Sequence, residues 1–485
     1  MAASDRILQR VSEYIKSYMI QSSIFNGIRI PHRSNLLLFI LVVVHFLGGH
    51  PSNLAFAGGY MIPHQTARAL GLSNAMTAGV NDPSAVYYNP AALSEVKGDN
   101  LLISGTYINV INSVENNTVQ VGSKEAINQH DNNFLATLFA NYHIPGTDFT
   151  VGIGTYTPFG LATTYDQDFT RFAVQQTELK TIYVTPAVSW HPSKYFSVGS
   201  GFSFVHSSGL FSRSLCFAQP GVPDPVTGAT SCTVPGGLFE GRLRLTDTAD
   251  AFTYNLGLLL KPTDNLKFGL SYRARADLRF DHADVKFGGV FVPSSVKGDV
   301  RPIPLPPVLN AGVFWQINSS WGAEFVYEYT RWSEFKSLSA TFSPVPLFLG
   351  AAPVPGFSLP EDWRNTSTLR LGSYYALNKN WEVRGGIAVE ETPIPNHTLN
   401  PGIPDADKLT LNAGIGYKWN RFSVDLGYMA VFYKTRRVVN NEIEGLPATG
   451  IPFLGACGNS ALPCPAKDKY QTFSNFVTVS LGLHF

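Results

Sequence analysis

The sequence predicts an all-β protein, an antiparallel transmembrane barrel of about 14 strands plugged by a small N-terminal hatch with short helices. Three observations predict this fold class. Charged residues are few and aromatic residues are many. Stretches of about ten residues alternate apolar and polar side chains. The connections between these stretches alternate between short turns and long loops.

The amino-acid composition already narrows the class of protein. Of the 485 residues, 15% are charged and 13% are aromatic, and 43 are glycine. Soluble domains carry about 25% charged residues, so much of this surface is expected to meet an apolar environment. The mean hydropathy of +0.02 excludes a polytopic helical membrane protein. The net charge of +1 gives no indication of a nucleic-acid partner.

The pattern in residues 1–57 predicts a secretory signal peptide with an unusually long basic region. The apolar stretch 36–49 is too short for a comfortable membrane span, which needs about 20 residues. Basic residues precede it, and Ala55-Phe56-Ala57 has small residues at the two positions that a signal peptidase reads. The alternative is a short N-terminal anchor, and translation could also start downstream, at Met19.

The four cysteines form two close pairs in segments rich in glycine and proline. Export places them in an oxidising compartment, so we expect loop disulfides Cys216–Cys232 and Cys457–Cys464. Neither spacing is typical of a metal site, and no nearby histidine would complete one. We therefore expect no metal and no cofactor.

Alternation of apolar and polar residues predicts the strands. In 473–485 the odd positions are largely apolar, whereas in 266–280 the even positions are apolar. The second pattern puts Arg273, Arg275 and Arg279 together on the inward face of one strand. About fourteen strands are predicted in this way, at 100–112, 132–143, 149–158, 178–191, 195–207, 250–261, 265–280, 307–318, 320–331, 366–377, 380–391, 409–419, 421–433 and 473–485.

A soluble β-sandwich also alternates, so two further features favour a barrel. Aromatic residues such as Trp321, Trp381 and Trp419 open or close the apolar faces, as in the girdles at membrane interfaces. Tight turns alternate with long loops, as expected when the turns lie at one rim and the loops at the other. The long loops are predicted at 208–249, 281–306, 333–365, 391–408 and 434–471. An even strand number closes the sheet and puts both termini on the periplasmic side of a bacterial outer membrane.

Residues 58–98 do not follow the strand pattern, and the barrel proper is expected to occupy 99–485. The segment is rich in alanine, glycine and turn-forming residues, which indicates one or two short helices. One alternative is a disordered periplasmic tail, but such a tail should be poor in apolar residues. This segment contains Leu70, Met76 and Tyr87 among others, so we expect it to be buried in the lumen as a plug.

Short motifs follow one another along the mature chain. The hatch contains Gly71 to Ala78, a loop at Asp82 and Asn89-Pro90-Ala91. The later motifs are Phe159 to Thr163, Ser271-Tyr272-Arg273, Tyr329 to Phe335, Gly386-Ile387-Ala388, Thr392 to Pro395, Ile403 to Asp407 and the terminal Phe485. Each motif is weak alone, but in order and at this spacing they resemble the FadL/TodX family of outer-membrane transporters of hydrophobic compounds.

The resemblance implies a fourteen-stranded barrel without a continuous water channel. An apolar ligand would land among the extracellular loops, move to an internal site, and leave laterally where the third strand kinks inward. Movement of the N-terminal peptide would release it, without a nucleotide. By family position, Tyr60 and Phe159 would contact the ligand, Gly160 would lie at the kink, and Asn89-Pro90-Ala91 would lie near it. The alternatives are an ordinary packed aromatic for Tyr60 and a plain bulge for Gly160.

Two further sets of residues are candidates for ligand contact. Arg273 and Arg275 could pair with a fatty-acid carboxylate, although lumen arginines more often pair with lumen acids such as Glu324, Glu328, Glu382 and Asp277. In the apolar loop 341–360, Phe348 and Leu349 are the candidates for an outer landing site.

The expected function is passive uptake of hydrophobic small molecules, above all long-chain fatty acids, by a monomer surrounded by outer-membrane lipid and lipopolysaccharide. A hydrocarbon transporter of the same fold is the alternative, followed by a general diffusion porin. An outer-membrane enzyme is disfavoured, because the histidines are scattered and no serine lies in a nucleophile context. An additional adhesin role of the long loops stays open.

Overall fold

The computed structural model describes residues 58–116, 125–129, 133–165, 170–171, 173–216, 223, 226, 240–289, 294–345, 354–438 and 468–485. The predicted signal peptide 1–57, the loop residues Phe348 and Leu349, and Cys232, Cys457 and Cys464 lie outside these ranges. The two disulfides and the outer landing site therefore stay predictions. No helix in the described ranges is long and apolar enough to cross a membrane.

The described chain contains 21 strands in one sheet. They are β1 Asn100–Asn116, β2 Glu125–Ile127, β3 Asn133–His143, β4 Phe149–Tyr156, β5 Gly160–Thr164, β6 Gln176–Ser193, β7 Phe196–Cys216, β8 Glu240–Thr263, β9 Leu266–Arg273, β10 Ala276–Gly289, β11 Ser294–Leu305, β12 Val308–Gln316, β13 Trp321–Thr330, β14 Ser337–Val345, β15 Val354–Pro360, β16 Thr366–Ala376, β17 Trp381–Glu390, β18 Lys408–Trp419, β19 Phe422–Tyr433, β20 Arg436–Arg437 and β21 Asp468–His484.

Fourteen of these strands form a closed ring in which every neighbouring pair is antiparallel. The order around the ring is β1, β3, β4, β6, β7, β8, β9, β12, β13, β16, β17, β18, β19 and β21. The ring closes between β21 and β1, from Asn100 opposite His484 to Asn116 opposite Asp468. Closure satisfies the backbone groups that an open edge would leave unpaired in hydrocarbon. The predicted fourteen-stranded barrel is confirmed.

Two segments that were predicted to be loops form strands instead. Residues 281–306 and 333–365 contain two hairpins, β10–β11 and β14–β15. These hairpins join each other and the far end of β8, so the sheet continues beyond the ring. The long strand β8 supplies a pairing partner for β10, and β11 in turn pairs with β14, so each hairpin extends the sheet of its neighbour.

The predicted strand 265–280 is also interrupted, and this changes the faces of its arginines. β9 ends at Arg273 and β10 begins at Ala276. Arg273 is buried on the inward face, but Arg275 and Arg279 are exposed. The break shifts the alternation by one residue, and a one-residue shift in a strand moves every following side chain to the other face. The expectation that the three arginines share one inward face is therefore wrong.

The outer and inner faces of the barrel differ in chemistry as the alternation predicts. Large apolar side chains are exposed on the outside, for example Phe252, Leu256 and Leu481. Aromatic side chains cluster near the short turns, among them Trp321, Trp381, Trp419 and Phe422. The inward positions carry many buried hydroxyl and amide groups, such as Thr106, which shares a hydrogen bond with Thr478 at 2.9 Å. An apolar outside and a polar inside are what a membrane barrel requires.

The hatch fills the lumen with three short helices. These are α1 Ala67–Gly71, α2 Ala85–Tyr88 and a 3-10 helix Pro90–Glu95. Thr66 caps α1 by accepting a hydrogen bond from the Ala69 N–H, and Asn89 caps the 3-10 helix through the Ala91 N–H. Such caps satisfy N–H groups that a helix start leaves unpaired. Most hatch side chains are buried against the inner wall.

Candidate functional site

An apolar cavity lies between the hatch and the far half of the barrel, and we call it the chamber. Strands β5 to β8 and the two hairpins supply its lining, since alternate residues of long strands all point inward. Its apolar lining includes Leu161, Leu179, Phe211, Leu245, Phe280 and Ile403. Among the described residues, the lining contains no arginine, lysine or histidine. Such a lining favours apolar ligands.

Tyr60 of the hatch forms one wall of the chamber and is held in an aromatic cage. Its ring centroid lies 4.7 Å from that of Trp332, 5.5 Å from Trp363, 6.0 Å from Phe335 and 6.1 Å from Phe159. These are favourable distances for aromatic pairs. The predicted ligand contacts Tyr60 and Phe159 are therefore neighbours, although of the two only Tyr60 lines the chamber.

The cage also contains two buried polar groups. The hydroxyl of Tyr60 donates to the carbonyl of Pro304 at 2.6 Å, and burial raises the pKa of Tyr60 well above its usual value. The carboxyl of Glu361 accepts from the indole N–H of Trp363 at 2.8 Å. Burial raises the pKa of Glu361 to about 8. Both groups are thus neutral over most of the neutral pH range, which keeps this end of the chamber free of charge.

The third strand of the ring bends inward beside Tyr60. β4 ends at Tyr156 and β5 begins at Gly160. The N–H of Gly160 donates to the carbonyl of Tyr60 at 2.9 Å, and the N–H of Ile62 donates to the carbonyl of Pro158 at 2.7 Å. Residues 60–62 therefore form a short added strand on the bend. A Cβ at Gly160 would lie 2.9 Å from Cδ1 of Ile62, so glycine permits this close approach.

The barrel wall is interrupted at the same place. The ladder between β3 and β4 runs from His143–Thr150 to Leu138–Thr155 and stops there. Beyond it, residues 133–137 pair only with β1 among the described residues. The bend in β4–β5 is not followed by β3, so the two strands are unpaired here, and we call this gap in the ladder the lateral opening.

Below the chamber, the hatch is fixed to the wall by polar contacts. The carboxylate of Glu324 accepts the N–H groups of Thr77, Ala78 and Gly79 at 2.7, 2.6 and 2.8 Å. Arg68 of the hatch pairs with Glu382 at 2.6 Å. Buried charges in a low-dielectric interior need such partners. These contacts join the hatch to β13 and β17 of the wall.

The predicted ligand-binding arginines have other partners. Arg273 donates to the carbonyl of Tyr87 at 2.9 Å, and its guanidinium lies 4.0 Å from the centroid of the Tyr87 ring. Arg275 is exposed and pairs with Asp277 at 2.6 Å and with Glu334. Neither arginine lines the chamber. Arg273 contacts the hatch, but through Tyr87 and not through one of the lumen acids that the sequence analysis named, whereas Arg275 does pair with Asp277.

Asn89, Pro90 and Ala91 lie close to the short turns and not at the bend. The side chain of Asn89 donates to the carbonyls of Thr77 and Leu258 at 2.7 and 3.1 Å. The carbonyl of Ala91 accepts from the hydroxyl of Ser197 at 3.1 Å, just after the turn between β6 and β7. These contacts fix the hatch to β7 and β8, whereas Tyr60 to Ile62 contact the bend.

Sequence analysis missed one charged residue beside the chamber. Arg213 follows the chamber residue Phe211 by two positions, so both point to the same face of β7. The Nε of Arg213 is buried without a hydrogen-bond partner. Among the described residues, no ion pair to Arg213 is formed. The sequence prediction ended this strand at residue 207, which placed Arg213 in a loop. The alternating Leu243 and Leu245 on the neighbouring strand β8 could have indicated that β7 continues beyond residue 207.

A closed barrel with an apolar outside, a filled lower lumen and an apolar chamber defines the class of outer-membrane barrels that transport hydrophobic compounds. Residues 50–461 match the family described as outer membrane protein transport protein (OMPP1/FadL/TodX). The chain belongs to this family. It is therefore a transport protein of the outer membrane and not an enzyme, as the sequence analysis expected.

Curated relatives and solved structures are similar over most of the chain. Outer membrane protein P1 of Haemophilus influenzae is 24% identical, over 80% of this chain and 89% of that protein. A long-chain fatty acid transport protein of Escherichia coli is 25% identical, over 82% and 91%. The crystal structure of a Pseudomonas aeruginosa FadL homologue superposes with a TM-score of 0.70 at 20% identity, over 88% of this chain and all (100%) of that chain. The Pseudomonas putida toluene transporter TodX gives 0.64 at 15% identity, over 88% and 99%.

Proposed function

We propose that this protein takes up long-chain fatty acids passively across the outer membrane and releases them laterally through the barrel wall. The observation that carries the proposal is the apolar chamber whose Tyr60 wall adjoins the bend at 158–160. The peptide 60–62 lines the chamber through Tyr60 and is hydrogen-bonded to the bend beside the lateral opening. The driving force is the concentration gradient of the ligand.

The chamber offers an acyl chain a favourable environment. Burial of apolar surface contributes about 25 cal/mol per Å², so an enclosed hydrocarbon lining retains an apolar ligand against water. A second, small cavity beside Met61 is lined in part by the polar side chains of Asn74, Arg273 and Glu328. An apolar ligand gains nothing by entering it, which supports release sideways into lipid.

A fatty acid also has a carboxylate, and Arg213 supplies the matching group. It lies on the chamber face of β7 beyond Phe211, without a partner among the described residues. A hydrogen-bonded pair between a guanidinium and a carboxylate is among the stronger polar contacts in proteins. The acyl chain would then fill the chamber with its carboxylate directed outward, towards the long loops.

An aromatic or alkane hydrocarbon is the second candidate ligand. The observation in its favour is the lining of the chamber itself, which among described residues has Glu178 as its one charged group. The related proteins carry names of both kinds, since one is named a long-chain fatty acid transport protein and another a toluene transporter.

The proposal includes a position in the membrane. The short turns and the C-terminal Phe485 lie at one rim, which we assign to the periplasm, and the hairpins β10–β11 and β14–β15 lie at the other. The closed ring needs no second copy to pair its edges, which supports a monomer surrounded by membrane lipid and lipopolysaccharide. Phe485 then lies at the periplasmic rim, whereas Gly59, near the start of the described chain, donates its N–H to Asp405 in the long loop before β18.

Binding and uptake by the purified, reconstituted barrel test the proposal, with oleate, toluene, hexadecane and sucrose compared side by side. Saturable uptake of oleate is expected, with little permeation of sucrose. Uptake of the two hydrocarbons without oleate would replace the fatty acid by the second candidate. Permeation of sucrose alone would contradict an occluded lumen and indicate a diffusion porin.

A further inference from the structure

Gln65 of the hatch contacts both edges of the lateral opening. Its side-chain amide donates to the carbonyl of Thr157 at 3.1 Å, and its side-chain oxygen accepts the N–H of Thr157 at 3.2 Å. Its backbone carbonyl accepts the hydroxyl of Thr137 on β3 at 2.7 Å. Gln65 is 1% exposed. One buried residue therefore joins the two strands that no longer pair with each other.

The side chain of Gln65 takes the place of a missing strand neighbour. Thr157 is the first residue after β4, where the ladder with β3 has already ended at Leu138–Thr155. A backbone N–H and carbonyl left unpaired at membrane depth are costly. The carboxamide offers one donor and one acceptor in the pattern of a neighbouring peptide group. The exposed backbone of the bend is thereby satisfied without closing the wall by a strand.

We propose that Gln65 is the latch of the lateral opening, a positioning residue whose two hydrogen bonds to Thr157 hold the exit shut until the N-terminal peptide moves. The inference rests on the proposed lateral release and adds the residue that controls it. Gln65 lies three positions after Ile62, and its amide also donates to the Ile62 carbonyl at 2.6 Å. Displacement of residues 60–62 from the bend therefore pulls on the latch.

Other contacts of Gln65 keep it attached to the hatch, so that it can bind Thr157 again after release. Its N–H donates to the hydroxyl of Tyr88 at 3.0 Å, and that hydroxyl donates onward to the carbonyl of Pro63 at 2.9 Å. Tyr88 belongs to α2, which packs against the wall below. The peptide from Pro63 to Gln65 thus stays attached to the fixed part of the hatch when Tyr60 to Ile62 leave the cage.

The test compares Gln65→Ala with Asn412→Ala, using a fluorescent long-chain fatty acid as the probe in reconstituted vesicles. Asn412 is a matched control, since its buried side-chain amide also joins wall and hatch, donating to the Leu70 carbonyl at 2.6 Å, but on the opposite strands. Gln65→Ala is expected to speed release of bound probe into the bilayer roughly tenfold, as the loss of one or two net hydrogen bonds allows. Equilibrium affinity should stay within about threefold of the parent, because Gln65 does not line the chamber.

Each outcome has a distinct meaning. Faster release in Gln65→Ala alone, with unchanged affinity and unchanged heat resistance of the barrel, supports the latch. Equal release rates in the two variants, or a loss of affinity that matches the change in rate, overturns it. Failure of the parent protein to bind the probe at all would contradict the proposed function instead. Gln65→Met, which keeps the size of the side chain but not its polar atoms, is expected to behave like Gln65→Ala and excludes an effect of an empty cavity.

Discussion

The backbone carbonyl of Tyr60 accepts a hydrogen bond from the N–H of Gly160 at 2.9 Å. This contact joins the residue that faces the chamber to the first residue after the bend in the wall. Because Tyr60 is also caged by Trp332 and Trp363, a ligand that displaces its ring must act on the bend as well. Occupancy of the chamber and the state of the wall are thus coupled through one short peptide.

Gly160→Val is expected to detach residues 60–62 from the bend. A valine here would press on Ile62, whose Cδ1 lies 2.9 Å from the Cβ position and would have to shift to make room for the branched side chain. The N–H of Ile62 should then lose its protection in hydrogen exchange, since its acceptor is the carbonyl of Pro158. Gly105→Val is the control, because a Cβ there meets nothing within 4 Å. Unchanged protection of Ile62 in Gly160→Val would show that the bend does not hold the peptide.

Arg213→Met is expected to weaken binding of oleate while leaving toluene unaffected. The loss should be about 1.5 to 3 kcal/mol, the range for a hydrogen bond to a charged group. Arg244→Met offers a comparison, since Arg244 is exposed on the outer face of β8. Parallel titrations of the purified barrel with both ligands give the answer. Equal losses for oleate and toluene would assign Arg213 a packing role only.

Glu324→Ala is expected to loosen the hatch. The substitution removes the acceptor for three consecutive N–H groups, Thr77 to Gly79, and leaves them buried. The expected cost is about 3 kcal/mol, because each buried unsatisfied group is unfavourable by 1 to 3 kcal/mol and the hatch can relax in part. Single-channel conductance in planar bilayers should rise. Glu324→Gln retains one acceptor oxygen and should give an intermediate conductance; a value identical to the parent in both variants would argue against this anchor.

The emission of Trp363 is expected to change with a midpoint near pH 8. Burial raises the pKa of Glu361 from 4.5 to about 8, and its carboxyl accepts from the Trp363 indole. The folded pKa lies above the unfolded one, so the stabilisation linked to protonated Glu361 is complete below about pH 4.5 and is lost as the pH rises through 8. A fluorescence titration of the parent and of Glu361→Gln checks this. Persistence of the same transition in Glu361→Gln would assign it to another group.

The class of fold and the presence of a plug could be predicted from the sequence. Period-two alternation is a local property of each strand, and the low charge content is a property of the whole composition. Neither requires knowledge of which strands meet. The apolar hatch segment follows by elimination, since a buried segment outside the strands has the lumen as its place. Tyr60 and Gly160 are hydrogen-bonded neighbours in the structure, and the roles that the family resemblance implies for them stay predictions.

The roles of individual polar residues depended on tertiary structure. Arg273 and Arg213 are both inward arginines. Only the position of Tyr87 shows that the guanidinium of Arg273 already has a hydrogen-bond partner in the hatch. Arg275 was assigned to the wrong face because a break of two residues in a strand is not visible in its alternation.

What the sequence determined by itself is therefore a plugged, closed barrel with an apolar outside, since these features follow from patterns within about ten residues of each other. What only the tertiary structure decided is the site. The hydroxyl of Tyr60 reaches a carbonyl 244 positions away, and the N–H of Gly59 reaches Asp405, 346 positions away. Such contacts are set by closure of the ring around the hatch, and no local pattern contains them.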